Sequence, residues 1–239
     1  MDAASSRLRD LTLEEFLRRL ASADPVPGGG SASAVTGALG ASLVAMVAAL
    51  SEGRPRYAAH AGTHARAGAA GLLLVERLLD LADEDAAAYG SYAAAMKLPR
   101  GTDDERQTRA ASIRTAARAA AEAPLACVAA CRELLAAIES LAGRSNVNAA
   151  SDLAVAANLG EAAARGAAEN VLINLPAMAD DVSAALMTEQ VDGYLHEVQE
   201  LADRAREVVA SGIVREPLPL DGLDIEDAVS PDRSENGLQ

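Results

Sequence analysis

Residues 25–51 carry no charged side chain, which limits the folds that are open to the chain. The segment reads PVPGGGSASAVTGALGASLVAMVAALS, so prolines and glycines lead into a stretch of mainly Ala, Gly, Ser, Leu and Val. It is long enough to cross a bilayer. Leucine is sparse, however, and no aromatic belt flanks the segment, which is unlike a membrane span. We therefore predict a central helix that is buried on all sides within a soluble helical bundle.

The composition favours closely packed helices. Half of the 239 residues are hydrophobic, but the chain has one Phe, four Tyr and no Trp, so Ala, Leu and Val must fill the core. A formal net charge of −14 argues against binding to nucleic acid, which needs a basic face, and against binding to anionic membranes. No secretory signal pattern is evident at the N-terminus. We expect a cytoplasmic protein in which Cys127 and Cys131 are reduced and buried.

Helix signals dominate the chain, and strand signals are absent. Thr12 is expected to cap a first helix, because a threonine hydroxyl accepts hydrogen bonds from the first helical turn. Thr102 and Glu105 have the spacing of a capping box, so a later helix is expected to start there. The uncharged helix is expected to follow a loop at residues 24–29 and to run to about residue 50.

Glycines and prolines predict interruptions in the later helices. A helical pattern over residues 56–96 is expected to be broken once near residues 68–71. Pro124 is expected to kink or break the next helix, which reaches about residue 141. A further helix is expected to end at about residue 175, where Pro176 interrupts it.

These patterns predict an all-α fold. We expect a single-domain orthogonal bundle of about seven to nine helices over residues 1–210, and a charged amphipathic pattern over residues 182–210 predicts the last of them. Residues 211–239 change to proline and acidic residues, and we expect them to form a mobile tail.

The glycine-led start of the uncharged helix is the sharpest local motif. Gly28, Gly29, Gly30 and Ser31 place backbone N–H groups at a helix N-terminus, where an anion is favoured. No Gly-Lys-Ser/Thr follows, so the segment is not a P-loop, and it lacks the strand that precedes a dinucleotide-binding fingerprint. Two interpretations stay open: the glycines bind an anion, or they only allow neighbouring helices to pack closely.

Two further features have both a functional and a structural interpretation. His60 and His64 have the spacing of metal ligands on a helix, but the adjacent Glu of a metalloprotease motif is missing, and ordinary polar residues are the favoured interpretation. Lys97 is the only lysine of the chain and lies beside a turn where a site can open. A buried lysine can give up a proton near neutral pH, which an arginine cannot.

Polar side chains interrupt an otherwise apolar helical segment at Asp152, Asn170 and Asn174. The two asparagines are four positions apart and share one helix face. Asp152 is either a helix cap or a carboxylate in an apolar cleft. It aligns with Asn170, but the two are about 27 Å apart along a straight helix. They meet one small ligand only if the helix bends or a second subunit closes the gap.

The acidic residues 83–85 are typical of a solvated face.

Four segments together resemble the cyclodeaminase/cyclohydrolase family of folate enzymes. They are PVPGGGSASAVTGALGASLVAMVAALSEGRPRY (25–57), EDAAAYGSYAAAMKLPR (84–100), AEAPL (121–125) and SDLAVAANLGEAAARGAAENVLINL (151–175). The resemblance implies an all-helical homodimer that binds a tetrahydrofolate derivative. It also implies that Gly28, Gly29, Gly30 and Ser31 are part of the pocket, and that the candidates near it are Asp85, Asp152, Asn170 and Asn174. The chain departs from the family at residues 89–95, which are smaller than the resemblance leads us to expect.

The resemblance implies chemistry on 5,10-methenyltetrahydrofolate, whose amidinium cation attracts a carboxylate. Such a carboxylate also takes a proton from the attacking water, and we assign this role to Asp152, with Asp85 as a further catalytic candidate. Lys97 either protonates the leaving nitrogen or pairs with the glutamate tail of the folate. The glycine-led helix start is the other candidate site for that carboxylate. Asn170 and Asn174 are expected to orient the pterin through amide hydrogen bonds. No cofactor and no metal are expected.

Two reactions and one binding role stay open. We favour a methenyltetrahydrofolate cyclohydrolase, because the chain shows no fused transferase domain that would supply formiminotetrahydrofolate. The first alternative is a formiminotetrahydrofolate cyclodeaminase that releases ammonia, a reaction that the same residue types serve. The second alternative is a non-catalytic helical dimer that binds a small anion.

Overall fold

The computed structural model of the chain describes residues 7–219, which form six α-helices and no strand. The helices are α1 (Leu13–Leu20), α2 (Gly29–Ser51), α3 (Ala61–Met96), α4 (Asp103–Leu141), α5 (Ala150–Met178) and α6 (Asp181–Ser211). Short 3-10 helices cover Leu8–Asp10, Pro55–His60 and Val147–Ala149. The predicted all-α class is confirmed. The number of α-helices is lower than the expected seven to nine, because two of the expected interruptions do not occur.

Both predicted helix caps are present. The Thr12 hydroxyl accepts a hydrogen bond from the Glu15 backbone N–H, and the Glu15 carboxylate accepts one from the Thr12 backbone N–H. Thr102 and Glu105 form the same reciprocal pair at the start of α4. These bonds satisfy backbone donors that have no partner inside the helix, so local sequence alone fixes where α1 and α4 begin.

α3 and α4 continue through the positions where the sequence predicts breaks. Gly71 lies inside α3, where a Cβ would stand 2.9 Å from both the Ala41 carbonyl oxygen and the Ala45 nitrogen of α2. The glycine therefore serves a close contact between two helices and does not end one. Pro124 is buried inside α4. Its missing hydrogen bond costs about 3 kcal/mol in an isolated helix, and packing of α4 against α3 and α5 offsets that cost.

The junction between α5 and α6 is set by the backbone and one acidic side chain. α5 continues past Pro176 to Met178, about three residues further than the sequence predicts. Ala179 follows in the left-handed conformation with φ of 49°. The Asp180 side chain then accepts a hydrogen bond from the Ser183 backbone N–H and caps α6. This sharp turn lets α6 return along α4 and α5.

α2 has three neighbouring helices on its inner side. It packs between α3 and α5, while α4 packs against both of these helices and α6 covers α4 and α5. α2 and α5 are antiparallel, because Gly29 faces Asn170 near one end and Gly40 faces Ala156 further along. The core between the helices consists mainly of Ala, Leu and Val, and Cys127 is buried within it as a free thiol. Small residues at the contacts bring the helices close together.

One side of α2 is exposed, so the prediction that this helix is buried on all sides is wrong. Its outward face carries Leu39, Met46 and Leu50, and Leu39 is 54% exposed. The physical reason is that α3, α4 and α5 cover the inner side of α2 and leave the outer side without a neighbour. Among residues 7–219, α2 is the one helix long and apolar enough to cross a membrane, and half of its most apolar window is buried in the bundle.

The chain continues after α6 along the end of α4. The Arg215 backbone N–H donates to the Gly143 carbonyl at 3.0 Å, and the Arg215 guanidinium pairs with Glu139 at 2.7 Å. A cation is favourable there, because the last carbonyl groups of a helix carry partial negative charge. The predicted tail covers residues 211–239, and its residues 220–239 lie outside the described part of the chain.

Candidate active site

The start of α2 holds a carboxylate from α3. The Ser31 hydroxyl lies 2.9 Å from Asp85 Oδ2 and 3.1 Å from the Ala82 carbonyl oxygen. A Cβ on Gly30 would stand 2.1 Å from Asp85 Oδ1, which is far inside van der Waals contact. Gly30 is therefore the residue that makes room for Asp85. The residues 83–85 are not merely a solvated face, since their last member points into the bundle.

The environment of Asp85 makes protonation of this carboxylate easier than protonation of an exposed aspartate. Burial raises the pKa of Asp85, and hydrogen bonds from the hydroxyl and the backbone N–H of Ser31 hold part of that rise back. The N-terminus of α2 also favours negative charge at this position. A carboxyl group in such a balance can both accept and release a proton, which is the property that general acid–base catalysis requires.

Two amide side chains of α5 lie beside the glycines. A Cβ on Gly29 would stand 3.3 Å from Asn170 Nδ2, so Asn170 borders the start of α2. Asn170 Nδ2 donates to the Gly166 carbonyl at 2.7 Å, and Asn174 Nδ2 donates to the Asn170 carbonyl at 2.7 Å. Asn174 Nδ2 also donates to the Ala120 carbonyl of α4 at 3.0 Å. These bonds fix the orientation of both amide groups.

The structure brings together seven of the nine predicted site residues. These are Gly28, Gly29, Gly30, Ser31, Asp85, Asn170 and Asn174. Gly28 is the N-cap residue of α2, and the others follow from the contacts between α2, α3 and α5. Both interpretations of the glycines therefore have support, because they allow close packing and also open a helix N-terminus beside polar side chains.

Asp152 and Lys97 lie away from this cluster within the chain. Asp152 is in the first turn of α5, which is unbroken, so it lies about 27 Å from Asn170 along the helix axis. The bend that would bring them together is absent from the described helix. Lys97 is exposed at the end of α3, about 18 Å along that helix from Asp85. Neither side chain reaches Asp85 within one subunit.

The cleft between α3 and α4 was not predicted from the sequence. It is shallow and open to solvent, has a volume of about 610 Å³, and is lined by Ser91, Ala94, Ala95, Leu98, Ala111, Ser112, Thr115, Ala116 and Ala119. One of these residues, Ala119, directly precedes Ala120, whose carbonyl binds Asn174. The cleft is therefore next to the polar cluster. The signal within residues 89–95 was the small side chains of Ser91, Ala94 and Ala95, which line the cleft.

The two histidines lie far from the cluster, at the other end of α3. His60 ends a 3-10 helix and His64 is in the first turn of α3, with ring centroids 6.3 Å apart. Both are buried, and His64 Nε2 lies 2.9 Å from the Arg144 carbonyl oxygen. Within residues 7–219 no group of three or more His, Cys, Asp or Glu side chains is placed to hold a metal ion. The pair therefore contributes to the packing between α3 and the turn after α4.

Comparison with known proteins assigns the family. The family model described as formiminotransferase-cyclodeaminase matches residues 12–193, which include every residue of the polar cluster. The chain belongs to this family. The resemblance drawn from its sequence motifs is thereby confirmed.

Several relatives of the family are similar over most of this chain. A methenyltetrahydrofolate cyclohydrolase from Methylorubrum extorquens is 36% identical over 84% of this chain and 97% of its own length. A formimidoyltransferase-cyclodeaminase from Sus scrofa is 35% identical over 80% of this chain, which corresponds to 35% of that protein. A crystal structure of formiminotetrahydrofolate cyclodeaminase from Thermotoga maritima superposes with a TM-score of 0.78 and 27% identity, over 85% of this chain and 98% of that chain. The chain thus spans about a third of the pig protein.

Proposed function

We propose that the protein is a methenyltetrahydrofolate cyclohydrolase, an enzyme that hydrolyses 5,10-methenyltetrahydrofolate to 10-formyltetrahydrofolate in one-carbon metabolism. The observation that carries the proposal is the half-buried Asp85 carboxylate at the start of α2, with the amides of α5 beside it. The relative from Methylorubrum extorquens is named for this activity and matches over nearly its whole length, which supports the proposal.

Asp85 takes the role of general base that the sequence analysis gives to Asp152. The substrate is a cation, so a carboxylate in a site with little water attracts it more strongly than an exposed one. A carboxylate oxygen then takes a proton from the water that attacks the reacting carbon. Because burial raises the pKa of Asp85, the carboxyl group retains this proton for the next step. Asp152 contributes to the reaction only if a partner subunit brings it to this site.

Asn170 and Asn174 orient the pterin ring. Their Nδ2 groups are engaged by backbone carbonyls, so the amide oxygens are the atoms that face a ligand as acceptors. The amino and ring N–H groups of a pterin are donors of matching geometry. Gly29 lets Asn170 lie close against the start of α2, because a Cβ there would stand 3.3 Å from Asn170 Nδ2.

The remainder of the folate extends into the cleft between α3 and α4. Its p-aminobenzoyl ring is flat and largely apolar, which suits a cleft lined mainly by alanine side chains. Lys97 precedes Leu98, one of the lining residues, and is exposed at that end of the cleft. Of its two predicted roles we therefore propose the pairing with a glutamate carboxylate, since the ammonium group lies too far from Asp85 to protonate the same substrate atom.

A second candidate is formiminotetrahydrofolate cyclodeaminase activity. The structure from Thermotoga maritima carries that name and has the same fold, so the same cluster in this chain can serve that reaction. In it, N10 attacks the formimino carbon and ammonia leaves. A carboxyl group that accepts and then releases a proton is needed there as well.

The experiment uses the purified chain with each of the two substrates. Loss of the methenyltetrahydrofolate absorbance, corrected for the spontaneous rate in the same buffer, reports the cyclohydrolase. Ammonia release from formiminotetrahydrofolate reports the cyclodeaminase. We expect the first activity to dominate; ammonia release alone would replace the proposal by the second candidate. Tight binding of either folate without turnover would support the non-catalytic anion-binding dimer.

We also propose a homodimer that covers the outer face of α2. Leu39, Met46 and Leu50 recur along one side of that helix, and a two-fold axis would pair this side with its copy. Sedimentation of the purified protein is expected to give a dimer, and Met46→Glu is expected to give a monomer. Leu186→Glu on α6 is the control, because Leu186 is likewise an exposed apolar side chain but lies on another helix. A monomeric wild-type protein would rule out this assembly.

We propose that the reaction needs no cofactor and no metal, and that the protein is cytoplasmic. The proposed steps use only a carboxyl group, a hydroxyl group and amides. Both cysteines are free and buried, which is in keeping with a reducing compartment. Metal analysis of active enzyme that found a stoichiometric ion would contradict the first proposal, and activity confined to a membrane or secreted fraction would contradict the second.

A further inference from the structure

The Ser31 hydroxyl faces two hydrogen-bond acceptors but has only one hydrogen. Its Oγ lies 2.9 Å from Asp85 Oδ2 and 3.1 Å from the Ala82 carbonyl oxygen. Ser31 is fully buried, so no water reaches its hydroxyl, and its single hydrogen can be donated to only one of the two acceptors at a time. The two bonds are therefore alternatives, and the charge on Asp85 decides between them, because an ionised carboxylate is a stronger acceptor than a peptide carbonyl.

We infer that Ser31 is a positioning residue that shifts its hydrogen from Asp85 to the Ala82 carbonyl when Asp85 takes up a proton, so that one carboxyl group serves first as base and then as acid. The inference rests on the proposed function. In the ionised state the Ser31 hydrogen stabilises the charge on Oδ2. In the protonated state the hydrogen bonds the Ala82 carbonyl, so the buried hydroxyl keeps a partner in both states.

The surroundings of Asp85 make Ser31 the dominant polar influence. α2 brings no titratable side chain, since Gly29–Ser51 contains none. The carboxylates Glu122 on α4 and Glu169 on α5 are exposed, as is Tyr89 one turn further along α3. Among residues 7–219, the pKa of Asp85 responds to burial and to hydrogen bonds from the hydroxyl and the backbone N–H of Ser31. Replacing Ser31 by alanine therefore removes a hydrogen bond that lowers the pKa of Asp85, and none of the side chains named above offsets that change.

The proposed steps balance in atoms and charge. The Asp85 carboxylate takes one proton from water as the water oxygen bonds to the methenyl carbon, which gives a neutral carbinolamine and a protonated Asp85. The bond from this carbon to N5 then breaks, its electron pair stays on N5, and Asp85 gives N5 the proton. The carbinolamine hydroxyl becomes the formyl oxygen and releases its proton through Asp85 to solvent. The net products are 10-formyltetrahydrofolate and one proton.

The test compares Ser31→Ala with the wild-type enzyme across pH. Loss of the hydrogen bond that stabilises the ionised carboxylate is expected to raise the pH at which kcat/KM falls on the acid side by about one unit. Ser31→Thr, which retains the hydroxyl, is expected to restore the wild-type profile. Ser33→Ala is the matched control, because Ser33 is buried in the same helix and its hydroxyl bonds the Gly29 carbonyl. An equal loss of activity at every pH would overturn the inference.

Infrared difference spectra of wild type against Asp85→Asn give a second measurement that needs no turnover. The stretching band of the ionised Asp85 carboxylate is expected to shift in Ser31→Ala, while the C=O band of the protonated form is expected to stay unchanged. A shifted C=O band would show that Ser31 keeps its hydrogen on Asp85 in both states and would overturn the inference. Should Ser31→Ala not fold, Ser31→Cys supplies the comparison, because a thiol is a weaker hydrogen-bond donor than a hydroxyl. A C=O band shifted from that of wild type would again count against the shift to Ala82. Absence of turnover in wild type would instead refute the proposed function, so the two failures are distinguishable.

Discussion

The substitution Gly30→Ala tests whether the close approach of Asp85 to α2 matters for the reaction. A Cβ at this position would stand 2.1 Å from Oδ1, 2.5 Å from Cγ and 2.8 Å from Oδ2 of Asp85. Ordinary contact begins near 3.4 Å, so the carboxyl group must retreat by about 1.3 Å. The hydrogen bond from Ser31 cannot survive such a shift unchanged, because it is 2.9 Å long in the present arrangement.

The expected loss is in activity more than in stability. A displacement of about 1 Å in a catalytic group costs about 100-fold in rate, so we expect kcat to fall by about that factor. Overpacking costs about 1–3 kcal/mol, but alanine is about 1 kcal/mol better than glycine inside a helix. The free energy of unfolding should therefore fall by only about 1 kcal/mol, which is a typical effect of a single substitution.

The assay pairs initial rates on methenyltetrahydrofolate with urea denaturation of the same preparations. Gly90→Ala is the matched control, because Gly90 lies in α3 and a Cβ there would meet nothing within 4 Å. That variant is expected to keep wild-type rates and to gain about 1 kcal/mol of stability. A Gly30→Ala enzyme with wild-type kcat would refute the reasoning, since it would mean that the position of Asp85 is not critical.

Three further predictions concern stability. Ala179→Gly should raise the free energy of unfolding by about 1 kcal/mol in urea denaturation, because Ala179 has φ of 49° and glycine adopts this conformation without strain; a lower midpoint would contradict it. Thr102→Ala should lower that free energy by about 1 kcal/mol through loss of the α4 cap, and an unchanged midpoint would show that the cap contributes nothing. Burial, with smaller contributions from His64 and Arg144, lowers the pKa of His60 below 6.5 in the folded state. The unfolded chain then binds more protons, so stability should fall as the pH drops below about 6.5 until the lowered pKa is passed. His60→Gln should show a smaller fall over that window in urea titrations at several pH values, and equal slopes would refute this origin.

Local signals in the sequence predict the fold well where local bonds decide the outcome. Thr12 and Thr102 cap their helices because the partners lie three residues away, so no tertiary information is needed. The helix breaks predicted at Gly71 and Pro124 do not occur, for the opposite reason. Their effect depends on which neighbouring helix packs on them, and propensity alone does not contain that contact.

The candidate site likewise has residues that local sequence patterns predict and residues that only the packing of the helices identifies. The glycine motif at the start of α2 and the asparagine pair of α5 are visible as patterns, and the structure places them together. Asp85 lies in an acidic run, and only the packing of α3 on Gly30 distinguishes it from its exposed neighbour Glu84. Asp152 aligns with Asn170 on a helical wheel, but the length of α5 separates them. Two residues on the same face of a helix therefore need not belong to the same site.

In the proposed reaction, the Asp85 carboxylate accepts the proton from water and then gives it to N5. The most direct measurement is the single-turnover rate of Asp85→Asn on methenyltetrahydrofolate, with the affinity for the folate measured on the same protein and Asp152→Asn assayed beside it. We predict a loss of about 100- to 10,000-fold in rate for Asp85→Asn, the usual contribution of general acid–base catalysis, with the folate still bound. Wild-type turnover in Asp85→Asn, together with its loss in Asp152→Asn, would contradict the account and move the reaction to the other end of α5.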